Sequence, residues 1–103
     1  MDGRDGPMQE SHRMRRLEPT EDVVGQRLGD EVVLVSLHTN RIFELNRTGG
    51  RFWELLQSEN DRARIERRLL EEFDVSQEEL SVELDGLIKS LADEELVRIL
   101  EDD

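Results

Sequence analysis

The chain has 103 residues, 26 acidic against 14 basic, with no cysteine and a formal net charge of −12. That length allows one modest core and little room for a substrate cavity. The missing cysteine excludes disulfides, thiolate metal ligands and a cysteine nucleophile.

No apolar run approaches the roughly 18 residues of a membrane span. The polar opening MDGRDGPMQESHRMRR also lacks the apolar segment of a signal peptide, so a soluble cytoplasmic protein is expected. The charge is uneven: residues 71–103 hold 13 acids against Lys89 and Arg98, while the rest of the chain is nearly balanced. Such a surface repels nucleic acid and anionic membrane and could steer a cationic partner; its plainest reading is a solvated acidic helix face.

Residues 1–20 carry Gly3, Gly6, Pro7 and Pro19, few apolar residues and no period. They read as a disordered arm that the fold does not need, with His12, Arg13, Arg15 and Arg16 as a small solvated basic cluster. Val23, Val24 and Leu28 suggest a first strand near 22–28. Gly29-Asp30 suits a tight hairpin turn, because glycine accepts a positive φ. The β-branched run 32–37 is the expected central strand. His38-Thr39-Asn40 makes the next turn, with Asn40 best able to adopt a left-handed conformation. Residues 41–45 alternate as a third strand, with Phe43 and Leu45 towards the core and Ile42 and Glu44 away from it. These pieces form a three-stranded antiparallel meander.

From Asn46 the apolar period becomes helical. Asn46 is the expected N-cap of a first helix that buries Phe52, Leu55 and Leu56, with Trp53 beside them. Gly49 and Gly50 lower helix propensity, and close approach of the helix to the sheet is the expected compensation. A second helix starts from Asp61 and carries Ile65, Leu69, Leu70 and Phe73. Ser76-Gln77-Glu78-Glu79 has the pattern of a capping box. It opens a third helix to about Ala92, with Leu80, Leu84, Leu87, Ile88 and Leu91 as its apolar stripe. Leu96, Val97, Ile99 and Leu100 form a last apolar segment before the acidic terminus 101–103. The fold class is therefore α+β, three antiparallel strands followed by three helices, similar to a winged helix-turn-helix.

Catalytic motifs are missing. His12 and His38 fall in an arm and a turn without metal-site spacing, and no nucleophile–base pair or phosphate-binding glycine loop occurs. The many carboxylates lie on exposed helix, where acid–base chemistry lacks a desolvating pocket. The expectation is a protein that is not an enzyme and holds neither metal nor cofactor. Two binding readings remain. An acidic winged-helix regulator acting on DNA or a basic protein is one, although the third helix offers seven acids against one lysine to a phosphate backbone. Peptide capture by strand addition is the other: the third strand ends the meander, so its outer backbone groups are free to pair with another chain. A plain edge strand guarded by Arg41 and Glu44 is the alternative to capture.

The residues carry a resemblance across about 21–100. Gly29-Asp30 precedes an apolar strand, and a turn leads into Arg41-Ile42-Phe43-Glu44-Leu45-Asn46. Thr48-Gly49, Phe52-Trp53 and Leu55-Leu56 follow, then a second helix ending at Phe73 and a third from Leu84 through Leu91 to Leu96-Val97. Leu45-Asn46 with Thr48-Gly49 and Trp53 is the most specific part. The chain resembles the PqqD-like family, recognition elements for the precursors of ribosomally made, post-translationally modified peptides. The resemblance implies a leader peptide bound as an added strand on the third strand, in a groove bordered by the third helix. It implicates Arg41, Ile42, Phe43, Glu44 and Leu45 for pairing, and Leu80, Glu83, Leu87 and Ser90 on the helix wall, with Lys89 contacting an acidic leader residue. A free-standing chain of this size resembles the recognition protein of lasso peptide pathways, which presents the leader to a cysteine protease and an ATP-dependent cyclase. It departs from the redox-cofactor branch, where alanine usually stands in place of Gly49.

Overall fold

The computed structural model describes residues 16–100. In chain order it contains β1 (Arg16–Pro19), β2 (Val23–Leu28), β3 (Glu31–Ser36), β4 (Arg41–Leu45), α1 (Arg47–Leu56), α2 (Arg62–Glu72), α3 (Gln77–Asp93) and β5 (Val97–Leu100). The expected meander and three helices are present. β2, β3 and β4 form an antiparallel sheet with β3 at its centre, and β1 pairs with β5 in a separate two-stranded ribbon.

Local chemistry sets the turns. Gly29 takes φ +67° at the first central position of the β2–β3 hairpin, which closes on the Leu28–Glu31 pair. Asn40 takes φ +62° where β4 begins, a value its short polar side chain tolerates. Each helix starts at a side-chain cap. The Asn46 side chain accepts from the Gly49 amide, and the Asp61 side chain accepts from the Ala63 amide. Ser76 and Glu79 complete the reciprocal capping box.

α1 lies against the inner face of the sheet. A Cβ on Gly50 would stand 2.8 Å from Val32 Cγ2, so glycine there permits the close approach of helix to β3. Trp53 is buried under β2, where a Cβ on Gly25 would stand 2.9 Å from the indole nitrogen. Leu34, Leu45, Phe52, Ile65, Leu69, Leu84, Ile88 and Leu91 fill the core between sheet and helices. Arg62 ties α2 to α3, with Nη1 at 2.7 Å from Asp85 Oδ1 and Nη2 donating to the Ser81 carbonyl at 3.1 Å. No helix among the described residues is long and apolar enough to cross a membrane.

One expectation needs correction. The fold uses residues 16–20, which composition assigned to a dispensable arm. β1 pairs antiparallel with β5 from Arg16–Leu100 to Pro19–Val97, and Leu17 is fully buried. The Leu17 amide donates to the Asn60 carbonyl, and the Thr20 amide donates to that of Leu96. A single apolar residue gives no period in sequence, and the partner strand lies some eighty positions away. The remainder of the expected arm, with His12, Arg13 and Arg15, and the acidic terminus 101–103 lie outside the described residues. The central strand is also shifted by one, ending at Ser36 and leaving Leu37 exposed.

Candidate functional site

β4 pairs with β3 on one side and with no strand on the other among the described residues. Which of its groups are free follows from register. The closing pair of a two-residue hairpin exchanges hydrogen bonds, and such pairs recur at every second residue. From Leu28–Glu31, the amides of Glu31, Val33 and Val35 therefore turn towards β2. The Leu37 amide, which donates to the Asp22 carbonyl at 2.7 Å, continues that series. Val32, Leu34 and Ser36 consequently turn towards β4, where their partners are Leu45, Phe43 and Arg41. The amides and carbonyls of Ile42 and Glu44 are left pointing out of the sheet. Side chains alternate in the same rhythm: Ile42 and Glu44 stand exposed on the outer face, Phe43 is half-buried and Leu45 is buried.

One ion pair ties the C-terminal end of α3 to this edge. Arg41 forms a bidentate pair with Glu94 at the C-terminal end of α3, with Nε to Oε1 at 3.1 Å and Nη2 to Oε2 at 3.2 Å. At the other end of β4, the Arg47 guanidinium stands 5.2 Å above the centre of the Phe73 ring, just before α3 begins. Strand and helix thus run past one another in opposite directions. At roughly 100° per residue, Glu83, Leu87, Ser90 and Glu94 fall on one stripe of α3, and the Glu94 bridge turns that stripe towards β4. Phe43 and Leu87 both pack against the core yet remain half-buried, which leaves an apolar floor between strand and helix incompletely covered.

The residues expected from sequence therefore separate. Of the five β4 residues expected to pair with a peptide, Ile42 and Glu44 carry the free backbone groups, while Arg41, Phe43 and Leu45 turn theirs to β3; Glu83, Leu87 and Ser90 share the α3 stripe that continues to Glu94. Leu80 is fully buried in the core, so it supports the wall from behind instead of lining it. Lys89 lies about 160° around α3 from Leu87, on the solvent side, which turns it away from the groove. The spacing of two residues already contained that answer. Glu94 was missed, although it continues the Glu83–Leu87–Ser90 stripe by one helical turn.

Charge around the site is structural in part. Arg51 donates to Glu72 from Nε at 2.7 Å and from Nη2 at 3.0 Å, tying α1 to α2. The Arg51 hydrogen bonds are the main reason the Glu72 carboxyl lies below the ordinary carboxylate range, against an opposing effect of burial. The same contact raises the Arg51 guanidinium. Near the Arg41 end, an open cleft of about 490 Å³ is lined by Asp22, Ser36, His38, Glu95 and Arg98 among others. Among the described residues, no group of three or more histidine and acidic side chains could hold a metal ion.

Comparison with known proteins finds the same fold. A solved structure described as TbiB1 in complex with the TbiA(beta) leader peptide matches with a TM-score of 0.75 at 29% identity, covering 82% of this chain and 99% of that one. No curated protein matches. The family model for coenzyme PQQ synthesis protein D (PqqD) matches residues 31–97, from the first residue of β3 to the first of β5. With more than half of its length matched, the chain belongs to the PqqD family.

Proposed function

We propose that this protein binds the leader segment of a ribosomally made precursor peptide as a fourth strand on β4 and catalyses no reaction itself. It acts in the cytoplasm and presents the bound precursor to a leader-cleaving cysteine protease and an ATP-dependent cyclase of a lasso peptide pathway. The observation that carries the reading is the pair of outward backbone units at Ile42 and Glu44, on a free edge that faces the Glu83–Leu87–Ser90 wall. Strand addition takes its affinity from main-chain hydrogen bonds and its selectivity from pockets for alternate side chains. The similar structure held with a leader peptide supports the same assignment.

Titration of the purified chain with the synthetic leader of a short precursor encoded beside it tests the reading. The expected affinity is micromolar or tighter, about −8 kcal/mol. Proline at Ile42 or at Glu44 deletes an outward donor without touching the β3 ladder, and either is expected to abolish binding. Unchanged affinity in both variants contradicts strand addition. The nucleic-acid alternative gains nothing from the fold, since Glu78, Glu79 and Glu83 are exposed along α3.

A further inference from the structure

We infer that the β2 edge is a second strand-docking site, for an extended segment of a partner protein with a short hydrogen-bond acceptor at its centre and cationic residues at both ends. The inference goes beyond the leader reading, which concerns the opposite edge of the sheet. Its starting point is Trp53, the chain's single tryptophan, which is only 5% exposed. The Trp53 carbonyl accepts from Gln57 Nε2 at 2.9 Å, but the indole N–H meets no acceptor among the described residues. A buried indole normally finds a partner for that group, and leaving it unpaired costs stability. Of the indole atoms, Nε1 would come nearest to a Cβ on Gly25, so the N–H leaves the ring on the β2 side. Gly25 is also one of the residues whose own backbone groups point out of the sheet at that edge.

A strand paired along β2 completes this arrangement. Its residue opposite Gly25 places its side chain on the face of the sheet that holds the indole. A hydroxyl or amide oxygen there accepts the Trp53 N–H. Arg27 stands two residues away on that face but is already paired with Glu54, so a carboxylate at the centre gains little. Charge sets the ends of the segment. Exposed Glu21 and Asp22 precede β2, and exposed Asp30 and Glu31 follow it. A docked chain of the length of β2 therefore brings both its ends beside acids, which favours lysine or arginine there. Self-pairing of two copies about Gly25 would instead bring the two acidic pairs together, so charge selects a foreign, cationic segment.

Selection of short displayed peptides on the full chain, retaining those that survive Glu44→Pro and are lost in Arg27→Pro, supplies the probe. The selected sequences are expected to carry serine, threonine or asparagine between terminal lysines or arginines, and to shift Trp53 fluorescence on binding. Trp53→Phe should weaken them about fivefold, as loss of one hydrogen bond does, while the circular dichroism spectrum stays unchanged. Replacing the peptide's central acceptor by valine should cost the wild type a similar factor and change little in Trp53→Phe. Arg27→Ala, which keeps the amide, should bind within about twofold of wild type. A purely structural tryptophan would not couple to the central residue of the peptide. Unchanged affinity in Trp53→Phe, or selected peptides without cationic ends, overturns the inference. So does a selection that returns no Arg27→Pro-sensitive peptide, and so does self-association lost in Arg27→Pro, which would place a second copy on the edge. A leader titration that fails removes the β4 reading alone and leaves this one standing.

Discussion

The sheet has two free edges among the described residues, β2 and β4, and they differ in what lies beside them. Both carry outward backbone groups, at Val23, Gly25 and Arg27 on β2 and at Ile42 and Glu44 on β4. Beneath β2 the helix is in direct contact: Trp53 fills the space under Gly25, and Arg27 is paired with Glu54. Beside β4 the neighbouring helix α3 is bridged across by Arg41 and Glu94, with half-buried Phe43 and Leu87 between them. An open edge supplies hydrogen bonds that any extended chain can use. Adding a wall with an apolar floor lets the protein choose among chains.

The largest expected effect separates the edges directly. Arg27→Pro removes an outward donor from β2 just as Glu44→Pro does from β4. In a leader titration the β2 variant is expected to bind like wild type, while the β4 variant loses binding. Equal losses would break the contrast. A second effect acts on the common base of both edges. Gly50→Ala forces a methyl against Val32 and is expected to cost about 1–3 kcal/mol in chemical denaturation, despite alanine's better helix propensity. Gly49→Ala, whose nearest neighbour would be Asn46 Oδ1 at 3.3 Å, is expected to cost less.

The two ion pairs give a finer test. Arg41 is largely exposed, so Glu94→Ala is expected to change stability by only about 0–1 kcal/mol. It should nonetheless alter leader affinity measurably, whereas Glu54→Ala on the β2 side should not. Smallest is a pH effect at the contact between α1 and α2. Because Arg51 depresses the Glu72 carboxyl, that contact contributes stability above the unfolded carboxylate value of 4.5, and the contribution fades as pH falls through the lower folded value. Glu72→Gln should reduce stability at neutral pH, and its difference from wild type should shrink below pH 4.5.

Features governed by a few adjacent residues were legible in the sequence. The left-handed Gly29 and Asn40, the Asn46 cap and the Ser76–Glu79 box depend on neighbours that reading along the chain supplies. The strand order followed from the two short hairpins. β1 was not legible, because its only deep anchor is Leu17 and its partner is at the opposite end of the chain. The facing of the β4 side chains was legible from alternation, with Phe43 and Leu45 inward and Ile42 and Glu44 outward. Leu80 and Leu87 lie only about 20° apart around α3, so periodicity could not say which was core and which was wall. Glu94 gained its role from a bridge to Arg41 that no local pattern announces.

Amide hydrogen exchange on β4, with and without the leader, tests the central claim most directly. Strand addition predicts that the Ile42 and Glu44 amides exchange fast in the free protein and become protected on binding. Arg41, Phe43 and Leu45, already bonded to β3, should change little by comparison. Protection gained on the β2 edge, or bound leader with Ile42 and Glu44 still exchanging fast, would contradict the account.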